Sequence, residues 1–157
     1  MQNITPCLWF NMNAEEAVDF YLATFPNSRV LTTSRYGEGA PVPAGTVLTI
    51  DFELDGLRMQ ALNGGPEFPF SEAVSFTKLV DGQEEVDRLW TAITSNGGEE
   101  SQCGWAKDRF GLSWQIVPNR LIELMSDPDG LRVARVMGAM MQMKKIVIAD
   151  LEAAAAG

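Results

Sequence analysis

Residues 13–25 recur at residues 81–93, in altered letters but on one plan. A shift of 68 positions carries Asn13 to Asp81, Glu16 to Glu84, Val18 to Val86, Asp19 to Asp87 and Phe25 to Ile93. Asn13 and Asp81 are residue types that cap helix N-termini, and a Glu follows each at the capping-box spacing. Behind the first cap, Ala17, Val18, Tyr21, Leu22 and Phe25 return at the interval of one helical face; Val86, Leu89, Trp90 and Ile93 do the same behind the second. Pro26-Asn27 stops the first helix and Asn96-Gly97-Gly98 the second. A strand-like run precedes each cap, at residues 4–12 and 73–80. Such a repeat decides the architecture, because each copy must be one supersecondary unit.

The ends of the two halves also correspond. Residues 44–54 are β-rich, and Asp55-Gly56 is a favoured two-residue hairpin turn into residues 57–63. Residues 98–106 lead through residues 107–111 into the run 112–117. Gly56-Leu57-Arg58-Met59-Gln60 lies over Gly111-Leu112-Ser113-Trp114-Gln115 at a shift of 55, so the first half has the longer middle, which the loop formers of residues 37–43 supply. Each half reads strand, helix, then two or three strands. The expected fold is α+β: one domain of two βαβββ modules, at about residues 1–64 and 71–118, joined through Gly64-Gly65-Pro66. A helical tail covers about residues 119–157 and reads as one or two helices. Asp127-Pro128-Asp129 puts an acidic cap and a Pro in its first turn. A Met-rich face follows through Met137, Met140, Met141 and Met143, and residues 153–156 read as a fraying end.

Composition narrows the chemistry chiefly through an absence. The chain contains no His, so no imidazole metal site, Ser-His-Asp triad or Cys-His dyad can be built within it. A net charge of −9 repels phosphate backbones and anionic membranes, and no nucleic acid is expected as a partner. The longest apolar runs are too short for a membrane span, the N-terminal residues lack the pattern of an export signal, and Cys7 and Cys103 are too few for a disulfide framework. Free thiols in the cytoplasm, away from membranes, are the expectation.

The βαβββ pair resembles the vicinal-oxygen-chelate superfamily, which includes glyoxalases, bleomycin-resistance proteins and dioxygenases. Ala61-Leu62-Asn63-Gly64-Gly65-Pro66-Glu67-Phe68-Pro69-Phe70, residues 103–118 and the run Met137 to Ile146 are similar to the PhnB-like family, whose members carry the label 3-demethylubiquinone-9 3-methyltransferase. The resemblance implies two modules lining their strands around a cupped cavity. It also implies where relatives place metal ligands: here those positions fall on Gln60, Gln115, Ser75, and Cys7 or Pro6. Amides and a hydroxyl are poor ligands for a transition metal, so no metal and no cofactor is expected.

Strand alternation puts Cys7, Trp9 and Asn11 on one face, Arg58, Gln60 and Leu62 on another and Ser113, Gln115 and Val117 on a third, and separates them from Leu8 with Phe10 and Trp114 with Ile116, which pack under the helices. The candidate ligand-binding set is Cys7, Trp9, Gln60, Ser75, Cys103 and Gln115, for an unidentified small molecule. Two rival readings stand beside it. One is an enzyme of the same fold, either a metal-dependent lyase or isomerase using Glu53, Glu72 or a ligand shared between subunits, or the methyltransferase of the family label. The other is a purely structural or partner-binding dimer that uses the Met-rich helix. A homodimer is expected in any case, with Met137, Met140, Met141 and Ile146 supplying apolar surface. A Rossmann-type cofactor cradle is not expected, because Gly64-Gly65-Pro66 leads into prolines and aromatics, not a helix.

Overall fold

The structure, a computed structural model, describes residues 3–157. It divides into two compact units, Met1–Pro69 and Phe70–Gly157.

The first unit runs β1 (Cys7–Phe10), α1 (Ala14–Thr24), β2 (Arg29–Arg35), β3 (Val47–Leu54) and β4 (Leu57–Asn63). Its sheet has the order β1-β4-β3-β2, with β1 parallel to β4 and the other pairs antiparallel. The two-residue turn forms as the sequence predicts. Asp55 (φ 48°) and Gly56 (φ 84°) are both left-handed, which matches the twist of the strands they join, and Leu54 pairs with Leu57. Leu8, Phe10, Ile50, Phe52, Met59 and Ala61 are buried with Ala17, Val18 and Tyr21 of α1. Each large side chain so buried contributes about 1.5–3 kcal/mol.

The second unit opens on the same plan: β5 (Ser75–Val80), α2 (Gly82–Thr94), β6 (Glu99–Glu100), β7 (Trp105–Lys107) and β8 (Ser113–Pro118), in the order β5-β8-β7-β6. Here the repeat is imperfect in one respect. Cys7 pairs directly with Gln60, whereas Ser75 pairs with Ser113 and Thr77 with Gln115. The parallel pair has slipped by two residues between the modules. A slip of two preserves which side chains face which way, so it costs no burial and leaves no mark on the hydrophobic pattern.

The capping boxes do not form. Asn13 and Asp81 stand at the N-cap positions, but neither side chain bonds its own helix. Asn63 takes over at α1, its Oδ1 accepting the Ala14 amide at 2.9 Å, and Asp81 instead accepts the Asn119 amide at 2.6 Å.

Among the described residues the tail forms three helices, not one or two: α3 (Asn119–Met125), α4 (Gly130–Met140) and α5 (Ile148–Ala156). Asp129 caps α4, accepting from the amides of Leu131 and Arg132, and Pro128 stands before the cap, not inside the first turn. Residues 153–156 do not fray as expected. Arg135 reaches from α4 to the carbonyls of Ala154 and Ala155 at 2.9 and 3.0 Å, and Ala155 is buried. The methionines divide. Met140 and Met143 pack on a core of Leu121, Leu124, Val136, Ile146, Leu151 and Ala155, while Met137 and Met141 remain exposed. Ile146, expected at an interface, is fully buried.

The tail is fastened to its module by main-chain bonds. Cys103 and Gly104 donate to the carbonyls of Met143 and Lys144 at 2.8 and 2.7 Å. Gly104 is left-handed, and a Cβ there would press on the Ile116 carbonyl oxygen. Gln83 completes the attachment, its Nε2 donating to the Ile146 carbonyl at 3.0 Å while its Oε1 accepts the Ile148 amide at 2.8 Å.

Candidate functional site

The sheet face of the first unit turned away from α1 is polar, and its side chains stand in rows set by the register. Cys7, Gln60, Asp51 and Thr32 are directly paired across all four strands. Their side chains are bonded in the same order. The Cys7 thiol donates to Gln60 Oε1 at 3.5 Å, Gln60 Nε2 donates to Asp51 Oδ1 at 2.7 Å, and Thr32 Oγ1 donates to Asp51 Oδ2 at 3.1 Å. A carboxylate can only accept, so Asp51 fixes which way the Gln60 amide points: nitrogen toward β3, oxygen toward the thiol. Burial, and secondarily the Asp51 carboxylate, push the Cys7 thiol above its ordinary value, which keeps it protonated at neutral pH.

The neighbouring rows frame this one. Arg58, Glu53 and Arg29 form the row on one side, with Arg29 and Glu53 in an ion pair at 2.6 Å. On the other side Trp9 is paired with Leu62, Leu62 with Thr49 and Thr49 with Ser34. Trp9 is held by two contacts: its indole N–H donates to the Gly65 carbonyl at 2.8 Å, and Phe68 meets its ring edge-on at 5.0 Å. Gly64 is required at the strand end, since a Cβ there would overlap the Trp9 ring. A cavity of 190 Å³ lies against the central row, lined by Thr5, Asp51, Arg58, Met59 and Gln60.

In the second unit Gln115 Nε2 donates to Ser75 Oγ at 2.9 Å, and Gln115 lies in register between Thr77 and Trp105. Cys103 sits in the turn before β7 in a left-handed conformation, and its backbone is tied to the tail. The six candidates therefore group as Cys7 with Gln60, Trp9 in the adjoining row, and Ser75 with Gln115. Cys103 joins neither pair: it stands in the turn before β7 with its backbone amide bonded to the tail. Of the two first-strand candidates, Cys7 meets the Gln60 side chain, and the Pro6 carbonyl accepts the Gln60 backbone amide at 2.9 Å.

Asp51 is the site residue that sequence reasoning missed. The signal was present: the Asp55-Gly56 turn pairs Leu54 with Leu57, and counting outward along the hairpin brings Asp51 opposite Gln60. The two carboxylates considered for a metal are otherwise engaged. Glu53 holds Arg29, and Glu72 holds Lys107 at 2.5 Å, a bond that lowers the Glu72 carboxyl and raises the Lys107 amine. Among the described residues, no three His, Cys, Asp or Glu side chains converge as a metal centre would need.

The 3-demethylubiquinone-9 3-methyltransferase family matches residues 2–117. The chain belongs to that family. A solved structure from Bacillus cereus, which carries the provisional name 3-demethylubiquinone-9 3-methyltransferase, PhnB protein, is 30% identical; 74% of this chain covers 99% of that one at a TM-score of 0.68. A solved protein of Pseudomonas aeruginosa is 23% identical over 75% of this chain and 98% of its own, at a TM-score of 0.60. No curated protein matches. The two four-stranded mixed sheets with their helices are the α+β fold of the vicinal-oxygen-chelate superfamily, with a helical tail added. The family match ends at Val117, before α3 begins.

Proposed function

We propose that this chain binds an uncharged small molecule on the polar face of its first sheet, and does so without a transition metal. The observation that carries this reading is the Cys7–Gln60–Asp51–Thr32 row. It gives one oriented amide, backed by a carboxylate and flanked by a neutral thiol, on a face with a cavity beside it. A few convergent polar groups beside apolar and aromatic surface are the usual composition of a small-molecule site. Trp9 supplies the aromatic surface, and the second unit carries a polar pair of its own, Gln115 with Ser75.

The donor chemistry opposes a transition metal. A thiol ligand must ionise, and burial and Asp51 both work against that at Cys7. Gln60 has both ends of its amide engaged, and amides are weak ligands for such ions. A nucleoside methyl donor of the kind the family description implies fits poorly too. Its usual cradle is a Gly-rich turn opening a helix, whereas Gly64-Gly65 is followed by bends and then β5.

Native mass spectrometry of the purified full chain tests the binding. A co-purifying mass is expected, and it should be lost from Gln60→Leu while folding is kept. The substitution should weaken a hydrogen-bonding ligand by about 1–3 kcal/mol. Elemental analysis tests the rest: stoichiometric zinc, nickel or iron that disappears in Gln60→Leu would overturn the metal-independent reading. Methyl transfer from S-adenosylmethionine by the purified chain would overturn passive binding.

A further inference from the structure

The second sheet carries a polar row of its own. Ser75 is paired with Ser113, Ser113 with Lys107 and Lys107 with Glu99, so four polar side chains stand in register across all four strands. The Lys107 ammonium is held by Glu72 at 2.5 Å, with Glu99 farther off at 3.9 Å. A cavity of 110 Å³ lies against this row, and Ser101, Trp105, Lys107 and Ser113 are in its wall with both of those carboxylates. Ser113 is 2% exposed, yet no group among the described residues bonds its hydroxyl. A buried hydroxyl left in this way costs stability unless something from outside meets it.

We propose that this cavity binds a neutral polyhydroxylated molecule, such as one edge of a sugar ring, through Ser113, Lys107 and Glu99, with Trp105 as its apolar wall. The charges select against ions. Lys107 stands between Ser113 and Glu99 in the row and already answers Glu72, while Glu100 accepts from the Trp90 indole at 2.9 Å and from Lys144 at 3.3 Å. A second cation would have to sit beside the Lys107 ammonium, and an anion would face Glu72, Glu99 and Glu100 together. Among the described residues these carboxylates do not converge on a point where a metal ion could be held.

What the cavity offers instead is both signs of hydrogen-bonding group in one small space. An ammonium only donates, a carboxylate only accepts, and the Ser101 and Ser113 hydroxyls do either. Adjacent hydroxyls on one molecule match such a set, since each can donate to Glu99 while accepting from Lys107 or Ser113. Trp105 lies two residues from Lys107 along β7 and so on the same face of the sheet. Its indole presents a broad apolar surface, which suits the C–H face of a sugar ring. At 110 Å³ the cavity has room for about three hydroxyl groups, judged against the roughly 30 Å³ of a liquid water. Every residue of this site belongs to the second unit, so it is independent of the Cys7–Gln60–Asp51–Thr32 row.

Titration of the isotope-labelled full chain with methyl β-D-glucopyranoside, methyl β-D-galactopyranoside and myo-inositol, followed by nuclear magnetic resonance, tests the assignment. At least one of the three should shift the Trp105 indole N–H resonance with a Kd of about 1–20 mM, the strength within reach of so small a neutral ligand. Ser113→Ala and Lys107→Met should each weaken that binding by about fivefold or more. The melting temperature of Ser113→Ala should be unchanged or higher, which separates a lost ligand contact from lost folding. A Trp105 resonance that none of the three probes moves at about 100 mM, or binding indifferent to both variants, would overturn the proposal. A lower melting temperature in Ser113→Ala would do the same, because the hydroxyl would then have a partner within the chain. So would acetamide or inorganic phosphate moving the resonance at lower concentration than the polyols, since the cavity would then be a site for an amide or an anion.

Discussion

Asn63, the last residue of β4, caps a helix that begins 49 positions earlier in the chain: its Oδ1 accepts the Ala14 amide at 2.9 Å. The same side chain donates to the Val47 carbonyl at 3.0 Å, and the backbone carbonyl of Asn63 accepts the Tyr36 hydroxyl at 2.6 Å. One buried amide thereby joins α1, β3 and the end of β4. Asn63→Ala should destabilise the chain by about 2–4 kcal/mol, because two buried groups lose their partners at once. Asn13→Ala should change stability by less than about 0.5 kcal/mol, since its side chain makes no cap bond. Urea denaturation of the two variants checks both; a larger loss in Asn13→Ala would refute the assignment.

The protonated Cys7 thiol sets a second expectation. In a Cys103→Ser background, iodoacetamide at pH 8 should modify Cys7 more slowly than a cysteine in an unstructured peptide. Asp51→Asn removes a charge that disfavours the thiolate, so it should raise that rate several-fold. The sign also holds for stability. The folded-state value lies above the ordinary 9.0, so the contribution is complete below pH 9 and is lost as pH rises through the higher folded value. An alkylation rate insensitive to Asp51→Asn would show that the carboxylate does not act on the thiol.

Asp108 organises the turn into β8. Its carboxylate accepts from the amides of Phe110 and Leu112 at 2.9 and 3.1 Å and from the Trp114 indole at 2.9 Å, and it is 2% exposed. Asp108→Ala should be among the more damaging single substitutions outside the apolar core, by about 3 kcal/mol or more. A double-mutant cycle of Asp108→Asn with Trp114→Phe should give a coupling of about 1–2 kcal/mol. Simple additivity would mean that the indole bond contributes nothing.

Gly64→Ala offers a test of the aromatic border of the site. The added methyl would overlap the Trp9 ring, so the indole must leave the Gly65 carbonyl. The Trp9 indole N–H resonance should shift strongly and exchange faster with solvent. An unmoved resonance would mean that the strand end, and not the ring, gives way.

Much of the fold was legible because the repeat and the periodicities are local. The hairpin turn, both module helices and the alternation of Leu8, Phe10, Trp114 and Ile116 follow from residues near one another in the chain. What escaped was long-range. Asn13 has the right chemistry for a cap, but the competing acceptor stands on β4, and spacing does not reveal which one wins. Residues 153–156 look like a loose end until Arg135, from a different helix, is seen to hold their carbonyls. Gln60, Gln115, Ser75 and Cys7 came from positions that the family resemblance implies and Trp9 from alternation beside Cys7, whereas Asp51 was missed because it was counted as part of a β-rich run and not paired through the turn. The two-residue slip between the modules could not be read at all, since even slips keep the same faces buried.

The attachment of the tail by Gln83 and the left-handed Cys103-Gly104 turn bears on how freely such a tail could be moved. Its main-chain bonds need an amide at one helix position of the host and a glycine at one turn, and each is met by a single residue with little latitude. Grafting α3–α5 onto a family member that stops at β8 would therefore also require installing a glutamine on the second helix and a glycine before the penultimate strand. Without them the transplanted helices would keep their own apolar core but have no fixed seat on the sheet.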